Sequence, residues 1–198
     1  STTWTADNVY NLVGQIYVLP GATLTINAGT LVQSNVADQG SLAVCRGAKI
    51  YVMGTKAAPV IMTGSNDTLT AWHEGSNEWG NLTIMGNALI SASYKSQVPN
   101  VVLGRTNTNV PDGLNQTYME GLTPSDPSDT KTLYGGADDN DSSGELHYIS
   151  LRYGGKVIGL GNELNGLSMG GIGRGTLVDH VEIINSVDDA IETWGGKV

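Results

Sequence analysis

The feature that most constrains this chain is a phrase that keeps returning: a glycine, a short run in which every second residue is apolar, and another glycine. GATLTINAGTLVQ carries Ala22, Leu24 and Ile26 in alternation with polar residues, and GAKIYVMGTKAAPVIMTG carries Ala48, Ile50 and Val52, then Val60 to Met62. WGNLTIMGNALIS adds Leu82 and Ile84, GELHYISLRYGG adds Ile149, Leu151 and Tyr153, and GTLVDHVEIINS adds Leu177, Val181 and Ile183. A period of two is that of a strand with one buried face, and no phrase carries a helical stripe of useful length. Self-similar strand phrases with a period of roughly 20–26 residues mark a solenoid, in which each repeat covers its neighbour's open edge. Hairpin signals such as Asn-Gly and Asp-Gly are mostly missing, so the short glycine turns do not join antiparallel neighbours. The expectation is an all-β, right-handed parallel β-helix whose coils stack about 4.8 Å apart; a β-sandwich is the alternative.

The pattern predicts one β-helix domain over residues 1–198. Between 91 and 137 the alternation lapses, and four of the six prolines fall there (Pro99, Pro111, Pro124, Pro127). That length without strands suits a functional loop folded over one side of the solenoid. Asn27 and Asn185 stand at strand ends, where stacked asparagines bond the backbone of adjacent coils.

This order of phrases, from WTADNVYNL through VLPGATLTINAGTLVQ and WGNLTIMGNALI to YGGADDNDSSGELHYISLRYGG and DDAIETWGG, resembles a family of secreted bacterial right-handed β-helix proteins of surface or lipoprotein type. The resemblance implies an extracellular or outer cell-surface location and carries no agreed activity.

The formal net charge is -9, from 10 basic and 19 acidic side chains. Such a chain repels phosphate backbones, which excludes nucleic acid as a natural partner. No stretch reaches the length of a membrane span, so membrane insertion is not expected. The single cysteine, Cys45 in SLAVCRG, has an apolar setting and reads as a buried, inert thiol.

Two acidic groups offer chemistry. Asp139, Asp141, Ser143 and Glu145 recur at every second position around Gly144, with Asp138 beside them. Oxygen ligands in that spacing, with a glycine for the sharp turn, suit a calcium ion, although position twelve of the run is Ser150 and not the glutamate of an EF-hand. The bland alternative is a solvated Asx turn. The second group is Glu163, Asp188, Asp189 and Glu192, either a further acidic site or a share in a metal site. Paired aspartates after a β-helix turn are similar to those of polygalacturonase-type glycosidases, but no Gly-His-Gly and no Arg-x-Lys accompanies them.

The remaining signals read as structure. His73, His147 and His180 lack metal-ligand spacing, and GGIGRGT at 170–176 lacks phosphate-loop spacing and reads as a tight turn. Trp72, Trp79 and Trp194 suit either stacking on sugar rings or core packing. The sequons at Asn66, Asn81 and Asn115 matter only in a eukaryotic host. The leading expectation is therefore a non-catalytic, calcium-stabilised surface module for adhesion, glycan contact or assembly. A polysaccharide lyase or glycosidase using Asp188 and Asp189 is the second. The third is a homo-oligomer stacked end to end into a filament, since an uncapped coil exposes strand edges that pair readily.

Overall fold

The computed structural model describes residues 1–92, 115–126, 128–159 and 162–197. Of the expected excursion, residues 93–114 and Pro127, with Pro99 and Pro111 among them, lie outside the described residues.

The chain winds as a parallel β-helix, and its strands stack by coil. The first coil holds β1 (Thr2–Trp4), β2 (Val9–Asn11) and β3 (Gln15–Val18). The second holds β4 (Thr23–Asn27), β5 (Leu31–Ser34) and β6 (Ser41–Val44), and the third β7 (Lys49–Met53), β8 (Val60–Gly64) and β9 (Leu82–Met85). After the antiparallel ribbon of β10 (Thr117–Tyr118) and β11 (Leu133–Tyr134) comes the fourth coil. It contains β12 (Gly144–Arg152), the small antiparallel pair β13 (Val157–Gly159) and β14 (Asn162–Glu163), and β15 (Leu167–Ile172). β16 (Leu177–Ile184) and β17 (Ile191–Gly196) form the last. The stacked wall strands all pair in parallel, β1-β4-β7-β12 and β2-β5-β8-β12 in one sheet with β16 beside β12, and β3-β6-β9-β15-β17 in the other.

The register advances 22 residues from Thr2 to Leu24, 26 from Leu24 to Ile50 and 32 from Glu145 to Leu177, so the late coils are longer than the sequence period implies. Inside, like residues stack in columns: Ile26, Val52, Leu146 and Val178 form one, and Ile16, Leu42, Leu82 and Leu167 another, which Ile191 continues as an exposed residue of the last coil. Each fully enclosed Leu or Ile contributes about 1.5–3 kcal/mol, and because every coil repeats the pattern the columns fix the register. Leu24, Ile26, Ile50, Val52, Leu82, Ile84, Ile149 and Leu151 are buried as the alternation predicts, with Val181 and Ile183 half-buried at the last coil.

Leu177 departs from that pattern: it is exposed, and Val178 packs on the core instead. The cause is a bend. In the third coil residues 54–59 separate β7 from β8, whereas in the fourth the single residue Tyr148 stands opposite that corner. Tyr148 and, one coil later, His180 both take left-handed backbone (φ 45° and 54°), and their rings stack at 4.0 Å. The bend uses one residue, so the inward parity slips by one across it.

Gly144 opens β12 for a specific reason. Its φ is 112°, and a Cβ there would meet the carbonyl oxygen of Ile50 at 1.9 Å.

The outer side of the second sheet is not bare. Ala43, Cys45 and Met85 face outward and are covered by Ile90, Met119 and Tyr134, with Tyr17, Leu122 and Trp194 at the margin. The later part of the excursion is thus a lid with its own small core. Burial pushes the Cys45 thiol up to about 11, so it stays protonated and inert at neutral pH. Asn81 and Asn115 are buried, so two of the three sequons face the interior.

Candidate functional site

The 138–145 stretch is a junction between coils. Asp139 is buried; its Oδ1 accepts from the Leu89 N–H at 3.1 Å, and its Oδ2 lies 3.6 Å from Lys197 Nζ and 3.9 Å from Arg174 Nη1. Asp141 Oδ2 accepts from the Asn87 N–H at 2.8 Å, and Asp138 Oδ1 accepts from the Asn140 N–H at 2.9 Å in an Asx turn. The Ser143 N–H donates to Thr176 Oγ1, Lys49 Nζ donates to the Ser142 carbonyl, and Glu145 Oε2 lies 3.3 Å from His147 Nε2. Each carboxylate is thus engaged in a different direction. No three His, Cys, Asp or Glu side chains among the described residues are grouped so as to hold a metal ion. Of the five residues expected around one calcium ion, Asp139 and Asp141 tie the chain leaving β9 to the start of β12, and the Ser143 backbone ties the turn before β16 to it.

The second acidic group comes together in part. Glu192, on β17, accepts from Asn165 Nδ2 at 2.6 Å. Burial first, and then the charges of Glu192, Asp188 and Glu163, hold the Glu120 carboxyl above the usual carboxylate range. Glu120, brought in by the lid, is a further member, absent from the acidic group read from the spacing. Asp189 enters the fold through its backbone, whose carbonyl accepts from the Gly166 N–H at 2.9 Å, while its side chain is exposed. Nearby, burial together with Glu192 and Glu120 pushes the Tyr134 phenol up to about 12.

The arrangement with the clearest functional geometry lies elsewhere, in residues 65–78 between β8 and β9. Asp67, whose side chain is 1% exposed, anchors this loop. Its Oδ2 accepts from Thr63 Oγ1 at 2.9 Å and lies 3.5 Å from Arg152 Nη1, and its Oδ1 accepts from the Leu69 N–H at 2.7 Å. Arg152 is also held by Ser150 Oγ, which accepts from Nε at 2.8 Å, and by Glu182 at 3.6 Å.

The far end of the loop is fastened just as firmly. The His73 ring stacks on Tyr153 (3.8 Å between centroids), its Nε2 is 2.7 Å from Glu78 Oε1, and the His73 backbone N–H donates to Tyr153 Oη at 3.2 Å. The His73 carbonyl accepts from Asn185 Nδ2 at 3.4 Å, and the Glu78 N–H donates to the Tyr153 carbonyl at 2.9 Å. Between these anchors Trp72 is 66% exposed. Trp79, by contrast, is buried with its Nε1 donating to the Arg152 carbonyl at 2.7 Å, and Trp194 is half-buried beside Tyr134.

Residue-by-residue reading assigns His73 a merely structural role and leaves Trp72 undecided. The partners of His73, Tyr153 and Asn185, lie 80 and 112 residues away. The local signal was the run AWHEGSNEWG itself, which places two tryptophans, a histidine and two glutamates in ten residues between two strands.

A family model described as a pectate-lyase like beta helix domain matches the chain over residues 1–114 and over residues 99–198. No curated protein and no solved structure matches it.

Proposed function

The chain belongs to the pectate-lyase-like β-helix family, and from that premise we propose that it is a secreted glycan-contacting module without catalysis of its own. The observation that carries this reading is Trp72: a large apolar ring left in water on a loop whose two ends are pinned to the β-helix wall. Exposing such a ring forfeits the 150–250 Å² that an aromatic usually buries. Holding it rigid removes most of the ordering cost of binding, which is the arrangement a stacking platform for a sugar ring requires. The same loop carries an exposed carboxylate suited to hydroxyls, Glu74, two residues on from Trp72.

Retardation of the protein in native gels containing soluble polysaccharides tests the reading. The wild type slows in at least one gel and releases neither reducing ends nor unsaturated products, and Trp72→Ala runs as in a blank gel. Retardation that survives Trp72→Ala would remove the platform from the account.

A hydrolytic reading has one specific observation on its side. Glu120 holds its proton to higher pH than an ordinary carboxyl, beside Glu192 and Asp188, and one protonated and one ionised carboxyl is the division of labour of a glycosidase. Turnover that disappears in Glu120→Gln would favour it over the binding module.

A further inference from the structure

The glycan-contact reading leaves the class of glycan open, and the charges around the platform narrow it. The loop and the strands that hold it carry Asp67, Glu74, Glu78 and Glu182, against the single guanidinium of Arg152. Arg152 is already flanked by two of these carboxylates, at 3.5 Å and 3.6 Å. Residues 65–78 themselves hold three carboxylates and no Lys or Arg, so the loop that presents Trp72 is negatively charged, as is the whole chain with its formal charge of -9. An aromatic face beside carboxylates is a site for an ammonium group: the ring quadrupole attracts the cation, tryptophan most strongly among the aromatics, and the carboxylates add long-range attraction. The same field repels a carboxylate- or sulfate-bearing chain before it touches the ring.

We infer that the glycan stacking on Trp72 is an amino-glycan, a chain of sugars bearing primary ammonium groups, and that polyuronates are excluded. This rests on the glycan-contact reading and adds the substrate class to it. Glu74 is the residue that sharpens the choice. It is exposed, next but one to Trp72, and outside the network that anchors the loop. Asp67, with its side chain buried, and the half-buried Glu78 are anchors of the loop, and Glu182 is shared with Arg152 and with Ser150 Oγ, which donates to it.

Three probes of matched length separate the possibilities: a glucosamine oligomer with free amines, the same oligomer fully N-acetylated, and oligogalacturonate, each titrated calorimetrically at low and at high salt. The free-amine oligomer is expected to bind about tenfold more tightly than the acetylated one at low salt. Most of that margin disappears at high salt, because exposed charges are screened over a Debye length. Glu74→Lys removes the margin and leaves the acetylated oligomer bound, while Trp72→Ala loses both. Equal binding of the two glucosamine oligomers through Trp72, indifferent to salt, would overturn the amino-glycan inference and leave the platform standing. So would tighter binding of oligogalacturonate. Binding of none of the three sinks the glycan-contact reading itself, and the inference with it.

Discussion

Two acid-rich turns on the same β-helix have opposite fates. In residues 138–145 the buried Asp139 and its neighbour Asp141 turn onto the N–H groups of Leu89 and Asn87, and Asp139 also meets Lys197 and Arg174. In residues 65–78 the buried side chain of Asp67 and the half-buried Glu78 fasten the loop, and Trp72 is left outside. The first turn uses its polar atoms to hold coils together. The second uses a few of them to fasten a loop that leaves a large ring mostly in water. A dense acidic motif is thus a poor guide to function when the solenoid itself needs acceptors at its junctions. An exposed aromatic on an over-anchored loop is a better one.

The comparison breaks most visibly at the anchors. Asp67→Ala leaves the guanidinium of Arg152 short of a partner in a mostly buried setting and frees both Thr63 Oγ1 and the Leu69 N–H. A loss of about 3 kcal/mol is expected in denaturant unfolding, together with loss of glycan retention, because the platform is no longer held. Asp139→Ala, in the other turn, unpairs the Leu89 N–H and two cations. It should cost about 2 kcal/mol in the same measurement and leave glycan retention unchanged. If Asp139→Ala abolished retention and Asp67→Ala did not, the roles assigned to the two turns would be reversed.

The parts of this fold that were legible in the sequence were those fixed by local alternation. The inward set from Leu24 to Leu151 follows from a period of two within each phrase, since an error of one residue would turn every apolar side chain to water. Leu177 was misread because a left-handed residue, His180, shifts the parity in mid-strand, and nothing local announces it. In sequence the acidic spacing at 139–145 suits a cage, because metal ligands and acceptors for backbone N–H groups look alike there; the N–H groups of Asn87 and Leu89 reach Asp141 and Asp139 from some fifty positions away. The 65–78 loop was invisible for the same reason, its anchors Tyr153, Arg152 and Asn185 arriving from coils not yet formed in the order of the chain.

Glu120 sharpens the contrast at smaller scale. Its carboxyl is raised in the folded state by burial and by Glu192, Asp188 and Glu163. Its favourable contribution is therefore complete below the unfolded-state value and is lost as pH rises through the folded one. At neutral pH the charged form is a liability, so Glu120→Gln should raise the melting temperature at pH 7, with the gain vanishing in acid. A gain that persisted unchanged below pH 4 would point to packing and not to charge. Smallest of all is the expected effect of Trp72→Ala on stability, within about 0.5 kcal/mol of wild type in denaturant unfolding. A larger loss would make the ring a structural element after all.

Trp72 is the surface proposed to meet a ligand, and the indole N–H signals report on it directly. Four tryptophans, Trp4, Trp72, Trp79 and Trp194, give four such signals in a nitrogen–proton correlation spectrum, assigned by single substitution. On titration with the glucosamine oligomer, the signal of Trp72 and the amides of residues 73–78 are expected to shift and saturate together. The signals of Trp79, Trp194 and residues 138–145 should stay in place. Shifts confined to Trp194, or to the 138–145 turn, with Trp72 unmoved, would contradict the assignment of the binding surface.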